Sequence, residues 1–269
     1  MSCHLGIATG VCIDLPIADI LPAIRAAGAD GIEVNTPPRH FDLAQPDAVS
    51  DLVRAVDEAS LEAISIHAPF GGSLDLAHPD ARHRRDAVAA AMASADAIAR
   101  LGGWIVVAHP SDLPRHGHDV PARLDDAVRS LTALAEHCAR LGTTLAVESP
   151  LPHLIGGEPD ELAFVMRHLP ATVGVCLDTG HAALGHHWDA LVEVAGARLR
   201  HVHASDTHGR RDDHLPPGLG AIDWRALASS LRAVHFEGWI MLELACPVAE
   251  PIDVYLREAF VRALECLAL

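Results

Sequence analysis

Eight short runs rich in β-branched and other apolar residues recur along the chain, and most are followed by a longer stretch of helical periodicity. The runs fall at 5–9, 31–34, 63–67, 104–109, 144–148, 173–178, 200–205 and 239–244. The amphipathic stretches fall at 17–27, 47–59, 81–101, 122–141, 160–168 and 224–234, with a last one at 252–267. Such alternation calls for a parallel sheet covered by helices. The runs are continuously apolar, as parallel strands buried on both faces should be. Gly28, Gly102 and Gly142 follow three of the helical stretches, where glycine accepts a positive φ at little cost.

Spacing decides which parallel sheet this is. Glu33 and Glu243, near the ends of the second and eighth runs, are separated by six units of about 35 residues; a closed (β/α)8 barrel of about 250 residues needs roughly 31 per unit. An open doubly wound sheet would need an extra element to use the chain's length, and no G-x-G-x-x-G follows the first run. The expectation is an α/β protein with one domain over 1–269, a single (β/α)8 TIM barrel.

Composition removes several functions. All 20 basic residues are arginine, against 36 acidic ones, for a formal charge of −16. A chain without lysine has no Schiff-base amine, no pyridoxal phosphate anchor and no Walker A loop. The acidic balance argues against a protein that grips duplex DNA through many phosphates, although bound dications would change the local sign. No apolar run approaches the ~20 residues of a membrane span, and Met1-Ser2-Cys3-His4 puts no basic region before an apolar stretch. Six scattered cysteines without a C-x-x-C pair then read as reduced thiols in a cytoplasmic protein.

The 19 histidines are organised. The third and fourth runs end in His67 and His109, the fifth in Glu148, and the sixth in Asp178 with His181 close behind. The seventh carries His201 and His203 and leads to Asp212, Asp213 and His214; the eighth carries Glu243. In a barrel these strand ends converge on the face where active sites sit. One strand-end histidine is ordinarily a hydrogen-bonded core or loop residue. Six consecutive strands so equipped would bury prohibitive charge unless the groups pair or coordinate metals. Imidazole nitrogen mixed with carboxylate oxygen suits Zn, Mn, Fe or Co rather than Ca.

The segments SIHAPF, VVAHPS, AVESP, CLDTGHA, HVHASD, DDHLPPGLGAIDW and LEL, in this order along nearly the whole chain, resemble the xylose isomerase-like TIM-barrel superfamily. That group includes sugar and sugar-phosphate isomerases and epimerases, and endonuclease IV, a zinc-dependent phosphodiesterase. The endonuclease IV resemblance implies nine ligands for three zinc ions. His67, His109 and Glu148 would hold one; Glu148 would bridge to a second held with Asp178, His203 and Glu243; His181, Asp212 and His214 would hold the third. The single-metal epimerase pattern uses Glu148, Asp178, His203 and Glu243 alone. One to three divalent ions per chain, zinc or manganese, are the implied cofactors.

By the first resemblance the chain is a metal-dependent isomerase or epimerase of a small sugar or sugar phosphate. The ion stabilises an ene-diolate, and Glu148 and Glu243 move protons on opposite faces. Arg210 or Arg211 would bind a phosphate or substrate oxygen by a bidentate fork, with at least one of the two left as a solvated loop residue. Glu33 either contacts substrate or pairs with an arginine. His201 lies on the same face as His203, so one of them sits a layer deeper as a support, and Asp206 is a candidate partner that fixes an imidazole tautomer. By the second resemblance a bridging hydroxide attacks a phosphoester. His181, Asp212 and His214 favour that reading as a set, whereas Phe70 in place of an aromatic hydroxyl and the short loop 35–41 depart from endonuclease IV's DNA-facing parts. A third reading is a metal-holding barrel that binds a ligand without turning it over. Family analogy ranks the isomerase or epimerase first.

Overall fold

The structure, a computed structural model, describes residues 3–247 and 250–268; Met1 and Ser2, part of the N-terminal reading above, lie outside them. Eight strands form a closed barrel in chain order: β1 (His4–Ala8), β2 (Gly31–Val34), β3 (Glu62–His67), β4 (Ile105–Ala108), β5 (Thr144–Glu148), β6 (Gly174–Asp178), β7 (Leu199–Ala204) and β8 (Trp239–Leu242). Every neighbouring pair is parallel, and β8 closes on β1 with Leu5 opposite Ile240. The single (β/α)8 barrel expected from the spacing is the observed fold, with strand bounds moved by a residue or two at several ends.

Helices wrap the barrel: α1 (Ile17–Ala27), α2 (Ala48–Glu58), α3 (Ala81–Arg100), α4 (Val120–Leu141), α5 (Pro159–His168), α6 (Thr179–Leu184), α7 (Trp188–Ala195), α8 (Trp224–Ala233) and α9 (Ile252–Leu267). Each long helix turns an apolar stripe to the strands; α1 buries Ile17, Ile20, Leu21 and Ile24. Gly28 and Gly142 cap α1 and α4 at φ of +107° and +75°, the left-handed conformation that glycine adopts without strain. The pair α6 and α7 was not expected. Both are short, and Gly185 and His186 (φ +54°) break the segment between them, so no long helical period is present to read.

Among the described residues no helix is long and apolar enough to cross a membrane. The main core lies between strands and helices. A second cluster, Ile64, Ile105, Val107, Ala146, Cys176 and Met241, packs together with the half-buried Trp239. A Cβ on Gly31 would collide with the Trp239 ring, and one on Gly6 with Met241 Sδ, so small residues in β1 and β2 make room for large ones from β8. Residues one step further along these strands form the site.

Candidate active site and metal centre

Alternation along a strand sends residues two apart to the same face. Val107 and His109, Ala146 and Glu148, Cys176 and Asp178, and Met241 and Glu243 are such pairs, each with an apolar or thiol member in the inner cluster and a polar one a step closer to the carboxyl end. The polar members meet. Glu148, Asp178, His203 and Glu243 each bring a donor atom within 4.8 Å of all the others. His67, Glu148 and His203 do the same, as do Glu33, His201 and His203.

Glu148 stands at the centre. Its Oε2 accepts from His67 Nε2 at 2.9 Å and lies 3.1 Å from His109 Nε2. Its Oε1 lies 3.4 Å from His203 Nδ1 and 3.6 Å from His181 Nδ1. Glu243 Oε2 is 3.0 Å from the same His203 nitrogen. To one side, Asp212 Oδ2 lies 3.3 Å from His181 Nε2 and 2.9 Å from His214 Nε2. Of the three sets named from sequence, Glu148, Asp178, His203 and Glu243 bring their donor atoms together as one group, whereas His67 groups with Glu148 and His203, and His181 and His214 each approach Asp212.

Second partners orient the rings. His109 Nδ1 is 2.7 Å from Asp112, His67 Nδ1 is 2.8 Å from the Ala68 carbonyl, His181 Nδ1 is 3.0 Å from the Ser149 carbonyl, and His214 Nδ1 is 3.0 Å from the Glu243 carbonyl. Each of these oxygens accepts from Nδ1–H, which turns Nε2 toward the centre of the site, where loss of its proton would free a lone pair for an ion. Metal-ligating histidines are oriented by this kind of outer hydrogen bond. His203 is reversed: its Nε2 faces Glu33 Oε1 at 2.9 Å and its Nδ1 faces Glu148 and Glu243.

The electrostatics show carboxylates in need of cations. Burial disfavours the Glu148 anion, but His109 and His203 outweigh it and hold the carboxyl well below its ordinary range. Burial likewise opposes ionisation of Glu243, yet His203 lowers it to about 2. Asp178 goes the other way: burial, with Glu243 and Glu148 nearby, lifts it to about 7 against the pull of His181. Burial works against the His181 and His214 cations, but Asp178 and Asp212 for the first, and Asp212 and Glu243 for the second, raise them to about 9 and about 10.

A divalent ion fits this set. Asp178 Oδ2 and Asp212 Oδ1 are buried without a hydrogen-bond partner, and the 3.0 Å approach of His203 Nδ1 to Glu243 Oε2 lacks the direction of a hydrogen bond. Buried polar atoms are rarely left so, and nitrogen and oxygen donors around one point are the ligands of zinc and manganese.

Glu33 and Asp206 depart from expectation, and the loop arginines take the solvated place expected of at least one of the pair. Glu33 is fully buried beneath the site, where it accepts from Ser65 Oγ at 2.7 Å and His201 Nε2 at 3.0 Å; it faces His203 and pairs with no arginine. Arg210 and Arg211 are exposed on the loop after β7, and Arg211, its side chain 84% exposed, is engaged by Asp213 at 2.6 Å. Asp206 fixes no imidazole. It accepts from Trp224 Nε1 and from the backbone of Thr207, Gly218 and Ile222, and so ties down the loop that carries Asp212 and His214. His201 takes the deeper supporting place expected of one of its pair. Sequence reasoning missed Asp112 and Ser65. Asp112 stands three residues after His109 in a loop, a spacing that carries a signal only once His109 is known to face inward.

Above the cluster opens a cavity of about 610 Å3. Glu243, His214 and His67 lie at its inner end, and Ile13, Asn35, Pro37, Phe70 and Leu244 line its walls. The Phe70 ring, 53% exposed, lies 4.8 Å from the His67 ring and 4.7 Å from that of His109.

Fold and site together define a (β/α)8 barrel whose polar mouth is equipped to hold metal. The chain matches the xylose isomerase-like TIM barrel family over residues 21–266 and belongs to it. A protein of Methanocaldococcus jannaschii known as uncharacterized protein MJ1311 is 24% identical over 246 residues, covering 88% of this chain and 82% of its own. The crystal structure of a D-tagatose 3-epimerase-like protein superposes with a TM-score of 0.85 at 24% identity over 98% of both chains. That of the IolI protein with a bound zinc atom superposes equally well, 0.85, at 18% identity over 98% of both chains. Other solved neighbours are sugar 3- and 4-epimerases.

Proposed function

We propose that the protein is a divalent-metal-dependent isomerase or epimerase acting on a small sugar or sugar phosphate. The observation that carries this reading is the convergence of Glu148, Asp178, His203 and Glu243, with partnerless buried atoms, at the inner end of an open cavity. A monosaccharide fits a space of about 610 Å3, and the sugar epimerases among the structural neighbours support the reaction class.

Glu148, Asp178, His203 and Glu243 would hold the ion. When bound, a divalent cation supplies Lewis-acid polarisation of a substrate carbonyl and so eases loss of a proton from the adjacent carbon. The proton transfers fall to the chain. Glu148 on β5 and Glu243 just beyond β8 approach from strands three apart around the barrel, and both carboxylates face His203 Nδ1. One takes the proton from one face of the carbon, and the other returns a proton to the opposite face. Glu33, through His203 Nε2, keeps the other ring nitrogen turned toward the two glutamates. Phe70, Ile13 and Leu244 bring apolar surface to the mouth and exclude water from a seated substrate.

A second reading, a trinuclear phosphoester hydrolase, has a specific observation in its favour. Glu148 presents one oxygen to His67 and His109 and the other toward His203, the arrangement of a bridging ligand, while Asp212 is flanked by His181 and His214. Incubating manganese- or zinc-loaded protein with a panel of ketoses and their phosphates in D2O separates the readings. Deuterium entering the carbon next to the carbonyl, seen by loss of its proton NMR signal, is the expected result. Hydrolysis of a chromogenic phosphodiester with no exchange into any sugar would overturn it in favour of the second reading.

A further inference from the structure

The first and last strands of the barrel meet at a seam, and two cysteines stand together at its upper edge. Cys12 ends the short turn Thr9–Cys12 that leaves β1, and Cys246 follows β8 by four residues. Cys246 N donates to the Val11 carbonyl at 3.0 Å. That carbonyl belongs to the peptide bond leading into Cys12, so covalent geometry keeps the two Cα atoms within roughly 7 Å, close to the upper limit of a disulfide's span. Both residues are half-buried, and the Cys246 thiol donates only weakly, to the carbonyls of Pro247 and Glu250 at 3.6 and 3.9 Å. The other cysteines are placed differently. Cys138 and Cys176 are buried, Cys3 donates its thiol to the Phe236 carbonyl, and Cys266 lies near Gly218.

We propose that Cys12 and Cys246 form a dithiol site that a low-molecular-weight disulfide, such as oxidised glutathione, converts to an intrachain disulfide across the barrel seam. One cysteine sulfur attacks the glutathione disulfide, breaks its S–S bond and releases one glutathione. The second cysteine sulfur then displaces the other glutathione from the mixed disulfide. One S–S bond forms within the protein, one is lost in the oxidant, and the two thiol protons leave on two molecules of glutathione.

The bond joins two lips of the mouth, since Ile13 beside Cys12 and Ala245 beside Cys246 both line the cavity. It also closes a loop of nearly the whole chain, the case in which a cross-link restrains the unfolded state most. Burial raises both thiols, with Cys12 adding to the rise of Cys246 to about 12. Exchange is therefore slow at neutral pH, which makes the site a slow staple rather than a fast sensor.

The test treats the full-length protein with oxidised glutathione at mildly alkaline pH, blocks remaining thiols with iodoacetamide and maps the peptides by mass spectrometry without reduction. A peptide pair joining Cys12 to Cys246, a loss of two alkylatable thiols with no retained glutathione, and a higher Tm that dithiothreitol reverses are the expected results. Cys12→Ser should instead leave glutathione attached at Cys246. Glutathione retained on the wild-type protein at either position without a cross-link, or all six thiols still alkylatable after a reference dithiol peptide has oxidised, would overturn the proposal.

Discussion

The inner apolar layer of the barrel and the polar layer above it come from the same strands, often from residues only two positions apart. Val107, Ala146, Cys176 and Met241 belong to the inner cluster, and His109, Glu148, Asp178 and Glu243 follow them on the mouth side. The inner layer is held by burial, which is non-directional and tolerates exchange of one apolar shape for another. The outer layer is set by direction: His67, His109 and His181 each fix Nδ1 on one oxygen, and several other buried polar atoms have no hydrogen-bond partner. Function is thus concentrated in one step of each strand, and stability in the step before it.

This contrast can be broken in graded ways. Glu148→Gln keeps the shape but removes the charge at the junction of two donor sets, and activity should fall by roughly 10³-fold or more with the fold intact and metal partly retained; steady-state kinetics beside metal analysis would check it. Met241→Ala, one step below Glu243, should do the reverse. It empties space in the inner cluster and costs about 2–5 kcal/mol of stability, read by urea denaturation, while metal content per folded chain stays unchanged.

Glu33→Gln tests the link between the layers. It leaves an amide oxygen for Ser65 but removes the charge that faces His203, so metal affinity should drop by about 10- to 100-fold in competition with a chromophoric chelator, with little change in Tm. The smallest effect is reserved for His214→Ala. In a one-ion enzyme sugar turnover should change by less than about 10-fold, because the four shared donors remain. Loss of an ion together with most of the rate would instead show that the Asp212 set is used.

How much of this was legible in the sequence depended on periodicity. The barrel, its strand ends and the convergence of Glu148, Asp178, His203 and Glu243 follow from eight spaced apolar runs that stop at polar residues, because strand and barrel geometry leave little choice about where such residues go, whereas His181, Asp212 and His214 were named from the family resemblance. His201 and His203 could be assigned to one face for the same reason. Glu33 could not be placed, because the pairing of β2 with β3 shifts by a residue between Ile32 and Glu33, and no local pattern signals that shift. Asp206 was misread because its partners, Trp224 and the backbone of residues 207–222, are set by the folded path of a long loop. Arg210 and Arg211 lie in the same loop, where an arginine is directed only by its neighbours, and Asp213 lies beside Arg211.

The central claim is that Glu148, Asp178, His203 and Glu243 share a divalent cation. Crystals of protein loaded with manganese or zinc, with diffraction data collected on both sides of the metal absorption edge, test it directly. An anomalous peak bonded to these four side chains at about 2.0–2.2 Å is the required result. Peaks confined to surface histidines, with the four side chains still closed on one another at full loading, would contradict it.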